Sequence, residues 1–154
     1  MINECKWEGY WTIKVIDKHT REVLEETEIK NRIMNLALDE MLKVLQGTAT
    51  DLKIEYMALG TSNTAITNND LTLGAEIFRT PPIAQAKTGT GELSTTFTVL
   101  DSEAVAQIEE IGIFGGSGAS ITADTGTLIS RILWSRSKTQ NEEIQFSRLD
   151  RMVR

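Results

Sequence analysis

A chain of 154 residues, 40% hydrophobic and 25% charged, has the size and balance of one globular domain with room for a sizeable core. Its net charge of −6, with neither half basic, disfavours binding driven by phosphate neutralisation, and no apolar run approaches the ~20 residues of a membrane span. The start, Met1-Ile2-Asn3-Glu4-Cys5-Lys6-Trp7, lacks the basic opening and apolar stretch of a secretory signal, so synthesis in the cytoplasm is expected.

In chain order, the lone Cys5 has no internal disulfide partner and reads as a small strand residue. Residues 6–16 alternate: Trp7, Trp11, Ile13 and Val15 share one face, and Lys6, Glu8, Thr12 and Lys14 the other. Asp17 to Thr20 reads as a turn, and it contains His19, the only histidine. Arg21 to Ile29 then returns as a second strand of a long hairpin, its Glu22, Glu25, Glu26 and Glu28 suiting a wet, self-repelling edge. The spacing of Met34, Ala37, Leu38, Met41, Leu42 and Leu45 predicts an amphipathic helix over 32–46, with Asn31 as its cap and Gly47 as the left-handed residue past its end. Ile33, Leu36 and Val44 widen that stripe, which implies cover on more than one side, by a sheet with or without a neighbouring subunit.

Beyond the helix the chain is β-rich. Strands are expected at 52–59, 93–99, 108–114, 127–135 and 142–149, separated by loops rich in Gly, Ser, Thr and Asn. Pro81-Pro82 bars a central ladder position and marks an edge or kink. The expected fold is mainly β (α+β), an antiparallel sandwich-like sheet with one amphipathic helix packed on it. With no repeat and no linker, residues 1–154 read as a single domain: an N-terminal hairpin (1–30), the helix and β-body (31–149) and a tail (150–154). Arg148, Arg151 and Arg154, with Asp150, read as a solvated tail or as a contact for an acidic partner.

The candidate chemistry points away from catalysis. Gly115-Gly116-Ser117-Gly118 lacks the Gly-Lys-Ser/Thr ending of a phosphate loop, and Gly89-Thr90-Gly91 misses the third glycine of a dinucleotide fingerprint. Glu109 and Glu110 are neighbours on a strand and face opposite ways, as do Glu142 and Glu143. One histidine and one cysteine supply no nucleophile–base set and no metal site. The chain is therefore read as a non-enzyme, with no catalytic residue, cofactor or metal.

Three charges stand among apolar residues: Glu76, Arg79 and Glu110. A charge that faces a core needs a partner. Either Arg79 pairs with Glu76 or Glu110 and fixes the register of the central strands, or all three project to solvent. Trp7, Trp11 and Trp134 suit a core; Trp7 with Trp11 could instead fill a partner's pocket or stack on a sugar. The polar loops 60–70 and 115–126 are natural contact elements, with Thr61, Ser62, Asn63, Gly116 and Ser117 as interface or glycan candidates.

The order of motifs resembles a family. Ala58-Leu59-Gly60-Thr61-Ser62, then Leu71…Glu76…Arg79, then Glu110-Ile111-Gly112-Ile113-Phe114, and last Leu128-Ile129-Ser130-Arg131 with Lys138 and the closing strand 142–149, are similar to elements of small structural proteins of tailed bacteriophages. Ser62 stands where a second glycine is usual, and Ile113 where leucine is. The resemblance spans about residues 31–149. It implies a virion component of the tail, baseplate, collar or fibre region, built as a symmetric homo-oligomer with other virion proteins as partners, without nucleic-acid contact or membrane insertion. A carbohydrate- or receptor-binding β-module, with a host surface glycan as ligand, is the alternative.

Overall fold

Alternation at the start of the chain builds the middle of the molecule. The structure, a computed structural model, describes residues 4–154. β1 (Lys6–Asp17) buries Trp11, Ile13 and Val15 and exposes or half-exposes the residues between them. The Asp17 carboxylate accepts hydrogen bonds from the backbone N–H groups of His19 and Thr20, each at 2.8 Å, and so shapes the turn into β2 (Val23–Ile33). β1 then pairs along its whole length with the last strand, β9 (Glu142–Val153). The N-terminal hairpin is thus integral to the body. Residues 150–153 form a strand, in place of the tail expected from 150 onward.

The remaining strands are β3 (Ile54–Gly60), β4 (Glu76–Thr80), β5 (Ala84–Gly89), β6 (Glu92–Val99), β7 (Gln107–Gly115) and β8 (Thr127–Ser137). All pairings are antiparallel, in the order β4-β3-β7-β8-β2-β1-β9-β6-β5. The described residues are mostly strand with one helix, as the patterning predicts. β2 joins the two halves: it pairs with β1 over most of its length but touches β8 only through Arg32 and Ile33. The sheet folds over there. Trp134 of β8 meets Phe146 of β9 edge to face, with ring centroids 6.0 Å apart, although two strands separate them in the sheet order. The two halves therefore enclose one core, which includes Trp11, Phe97, Ile111, Ile113, Ile132 and Phe146. β4 and β5, the two free edges, are linked through Pro81-Pro82, where a missing N–H is harmless.

The helix differs from its expected form at one end. α1 spans Asn35–Gln46, because the chain stays extended through Ile33 to complete the bond to β8. Met34 occupies the cap position with no side-chain cap, and its N–H donates to the Ile129 carbonyl at 2.9 Å. Asn31 is a buried strand residue instead of the cap. Gly47 does end the helix in the left-handed region, at φ 82°. Among α1 side chains only Ala37 is fully buried, in the core shared by both half-sheets. Met41 faces a cleft lined from both halves, by Trp7, Ile54 and Leu93 among others. The helix therefore lies across one end of the sandwich. Among the described residues no helix is long and apolar enough to cross a membrane.

Candidate functional site

Leu59, Ile111 and Ile132 occupy one cross-strand row and point into the core. Arg79, Ala58, Gly112 and Arg131 form the adjoining row, so side-chain alternation carries them to the outer face of the β4-β3-β7-β8 half. Two arginines thus flank two small residues. That face is covered. Met34, Leu73, Phe114 and Leu128 form a second apolar cluster on it, beneath the segment 61–75, with Ile66 packed alongside.

Glu110 reaches the same face by plain alternation, two residues before Gly112 on β7 and opposite Gly60 on β3. Its carboxylate is fully buried and accepts four hydrogen bonds. Oε2 takes the N–H groups of Ser62 (3.0 Å) and Ala75 (2.8 Å); Oε1 takes the N–H of Gly74 (2.7 Å) and Nε of Arg131 (2.9 Å). One side chain therefore clasps both ends of the segment 61–75. Arg131 extends the clasp to Asp70, at 3.3 Å, whose carboxylate also accepts from the Thr67 N–H and hydroxyl. Burial alone would raise the Asp70 carboxyl, but bonds from Thr67 and Arg131 outweigh it and hold it below its ordinary value.

Two glycines make room for the clasp. A Cβ at Gly60 would collide with Glu110 Oε2 and lie 2.7 Å from the Ala75 carbonyl; one at Gly112 would lie 2.7 Å from Leu73 Cδ2. The apolar anchor of the segment is Leu73, while Leu71, the leucine of the sequence motif, is 60% exposed.

A second clasp lies beside the first. Arg79 binds Glu76 through two hydrogen bonds of 2.7 Å, both side chains being only 2% exposed. Its Nη1 donates to the carbonyls of Ser120 (2.8 Å) and Thr125 (3.1 Å), and Glu76 Oε1 accepts the N–H of Asp124 at 3.2 Å. The guanidinium carbon stands 4.5 Å from the ring centroid of Phe114. So the pair fastens the segment 116–126 onto the sheet. Of the two partners expected for Arg79, Glu76 is the one it meets; Glu110 belongs to Arg131. These pairs bind loops, whereas a role in strand register was expected.

A third ionic group lies inside the core. Arg148, fully buried, donates through Nε and Nη2 to Asp150 (2.9 and 2.8 Å) and through Nη1 to Ser130 Oγ (2.5 Å). Trp7 Nε1 donates to Asp150 at 2.9 Å, and the guanidinium lies over the Trp11 ring. Oriented with its oxygen toward Arg148 Nη1 (2.9 Å) and Ser130 Oγ (2.7 Å), the Asn31 amide completes the group. Arg148 and Asp150 are therefore not solvated. They share the inward face of β9 with Ile144 and Phe146, a parity readable from the sequence.

The remaining candidates separate. Thr61, Asn63 and Ser117 are exposed, Ser62 is half-buried in the Glu110 clasp, and Gly116 is buried at φ 83°. Trp11 is 1% exposed, so it cannot stack on a sugar or enter a partner's pocket, and the Trp7–Trp11 platform does not exist. Lys138 is buried, donates to the Asp101 carbonyl at 3.0 Å, and is held below its ordinary pKa by desolvation. Among the described residues no three His, Cys, Asp or Glu side chains gather as a metal site would require. The Glu110 lone pairs are all engaged by fixed donors, which suits an anchor and leaves little for proton transfer. Comparison with family models, with curated proteins and with solved structures finds no match in any of the three.

Proposed function

We propose that this chain is a structural subunit of a tailed bacteriophage virion, from the tail, baseplate, collar or fibre-attachment region, acting as a homo-oligomer with other virion proteins and without catalysis. The observation that carries the reading is that the resemblance motifs act on one another. Glu110, Gly112 and Phe114 respectively clasp segment 61–75, admit Leu73 and support Arg79. Ala58 and Gly60 keep the neighbouring strand low enough for this, and Glu76 and Arg79 hold segment 116–126. Short motifs far apart in the chain thus serve a single purpose, two stiffened surface loops on a rigid sheet. Pre-ordered loops suit permanent contacts, since ordering backbone on binding costs ~1–2 kcal/mol per residue.

Mass spectrometry and antibody labelling of purified particles from the virus that encodes the chain test this. The reading predicts a fixed copy number per particle and label at one locus. A chain found only in the soluble fraction of the lysate contradicts it.

A further inference from the structure

We infer that α1 is a hinged lid: it leaves the end of the sandwich as one unit, pivoting at Met34, while both half-sheets stay folded. The helix is held far less firmly than the segments beside it. Of its twelve side chains only Ala37 is fully buried, and Leu36, Met41 and Val44 are half-buried. Leu38, Leu42 and Leu45 are already 43%, 63% and 78% exposed, so opening takes little apolar surface out of the core. A helix of this length is marginal in water on its own, and its backbone hydrogen bonds last only while the seat of Ala37 is filled. Few buried apolar contacts and solvent-facing hydrogen bonds mark the low-stability end of a fold.

The two ends of α1 are built differently, which sets the direction of opening. Its start is pinned. Met34 is buried in the second apolar cluster, the Asn35 N–H donates to the Asn68 carbonyl at 2.8 Å, and Asn35 Nδ2 donates to Asn69 Oδ1 at 2.9 Å. Asn68 and Asn69 stand between Thr67 and Asp70, in the segment held by Glu110 and Arg131, so the outer clasp also fixes the pivot. The far end is loose. Past Gly47, the N–H groups of Thr48 and Ala49 bond back to the Lys43 carbonyl of the helix itself. Among the described residues the backbone of 48–52 makes no hydrogen bond to a strand, and the sheet takes hold again at Lys53, whose carbonyl accepts the Gly116 N–H at 2.9 Å. Met41, in the loose half of the helix, lines the cleft of about 400 Å³ with Trp7, Leu52, Leu93 and Met152. Swinging about Met34 removes that wall and opens the cleft toward the seat of Ala37 in the core.

Hydrogen exchange of the full chain, read by mass spectrometry, tests the lid. In the unaltered protein the amides of α1 are expected to exchange together, roughly a hundredfold or more faster than those of β7. Leu42→Gly, at an exposed position where the change weakens the helix alone, should speed α1 roughly fourfold further and leave β7 as it was. Ala37→Asp, which puts a charge in the helix's one fully buried seat, should hold the lid open. Its α1 should then exchange as free chain and acrylamide should quench Trp7 more strongly, with β7 still protected. Trp11 and Trp134, 1% and 6% exposed, stay out of the quencher's reach. Amides of α1 as slow as those of β7, or a Leu42→Gly effect of equal size on both, overturn the inference. So does an Ala37→Asp chain in which β7 loses protection along with α1, or in which Trp7 is quenched no more than before.

Discussion

Glu110–Arg131 and Arg148–Asp150 are both buried guanidinium–carboxylate pairs, yet they hold different things. Glu110 spends three of its four hydrogen bonds on backbone N–H groups of a surface segment. Arg148 and Asp150 bind only side chains, those of Trp7, Ser130 and Asn31, inside the core. The chemistry is the same and the consequences are not. Backbone amides remain when a side chain is replaced, so the outer clasp has no apolar substitute. The inner group does, since every one of its partners is itself a side chain.

The largest expected effect is at Glu110. Glu110→Gln leaves Arg131 without its buried counter-charge and should cost about 3–5 kcal/mol in denaturant unfolding. Replacing both partners, as Glu110→Leu/Arg131→Met, should still cost about 3 kcal/mol, because Ser62, Gly74 and Ala75 keep unpaired N–H groups at about 1–3 kcal/mol each where buried. Arg148→Met should be as harmful alone, about 3–5 kcal/mol, yet Arg148→Met/Asp150→Leu should recover part of the loss, since Ser130 and Asn31 still bond each other and only the half-buried Trp7 N–H loses its acceptor. Equal penalties for the two double variants would erase the distinction between outer clasp and inner group. Next, Glu76→Gln should cost about 2 kcal/mol and open segment 116–126 to proteolysis near Asp124, leaving segment 61–75 intact. Gly60→Ala, which presses against Glu110 and the Ala75 carbonyl, should cost about 1–3 kcal/mol.

The smallest effect is acid-dependent. The Asp70 carboxyl lies below its ordinary value when folded, so its contribution is present above about pH 4 and fades as pH falls through the folded value. Asp70→Asn should flatten that part of the stability–pH curve. A curve of unchanged slope would remove Asp70 from the clasp.

Period-two alternation made β1, β6 and the fold class readable in advance, because one face of each strand is greasy. It also contained the inward parity of Arg148 and Asp150, which is obscured when arginines near a terminus are read as tail. Arg131 was on view within Leu128-Ile129-Ser130-Arg131, but nothing local marks which carboxylate it meets, since Glu110 comes from another strand, 21 residues away in the chain. The helix start was misplaced because Ile33 fits a helical stripe and a ladder equally, and only pairing with β8 decides. β4 and β5 are short edge strands around Pro81-Pro82, with too few residues for a periodic signal. Leu71 and Leu73 are indistinguishable in sequence; the space over Gly112 selects Leu73.

Amide hydrogen exchange at Ser62, Gly74 and Ala75 in the unaltered protein tests the clasp most directly. These three N–H groups belong to a polar surface segment outside every strand, and bonding to a buried carboxylate should slow them to rates near those of β7. Exchange at the rate of an unstructured loop would contradict the account.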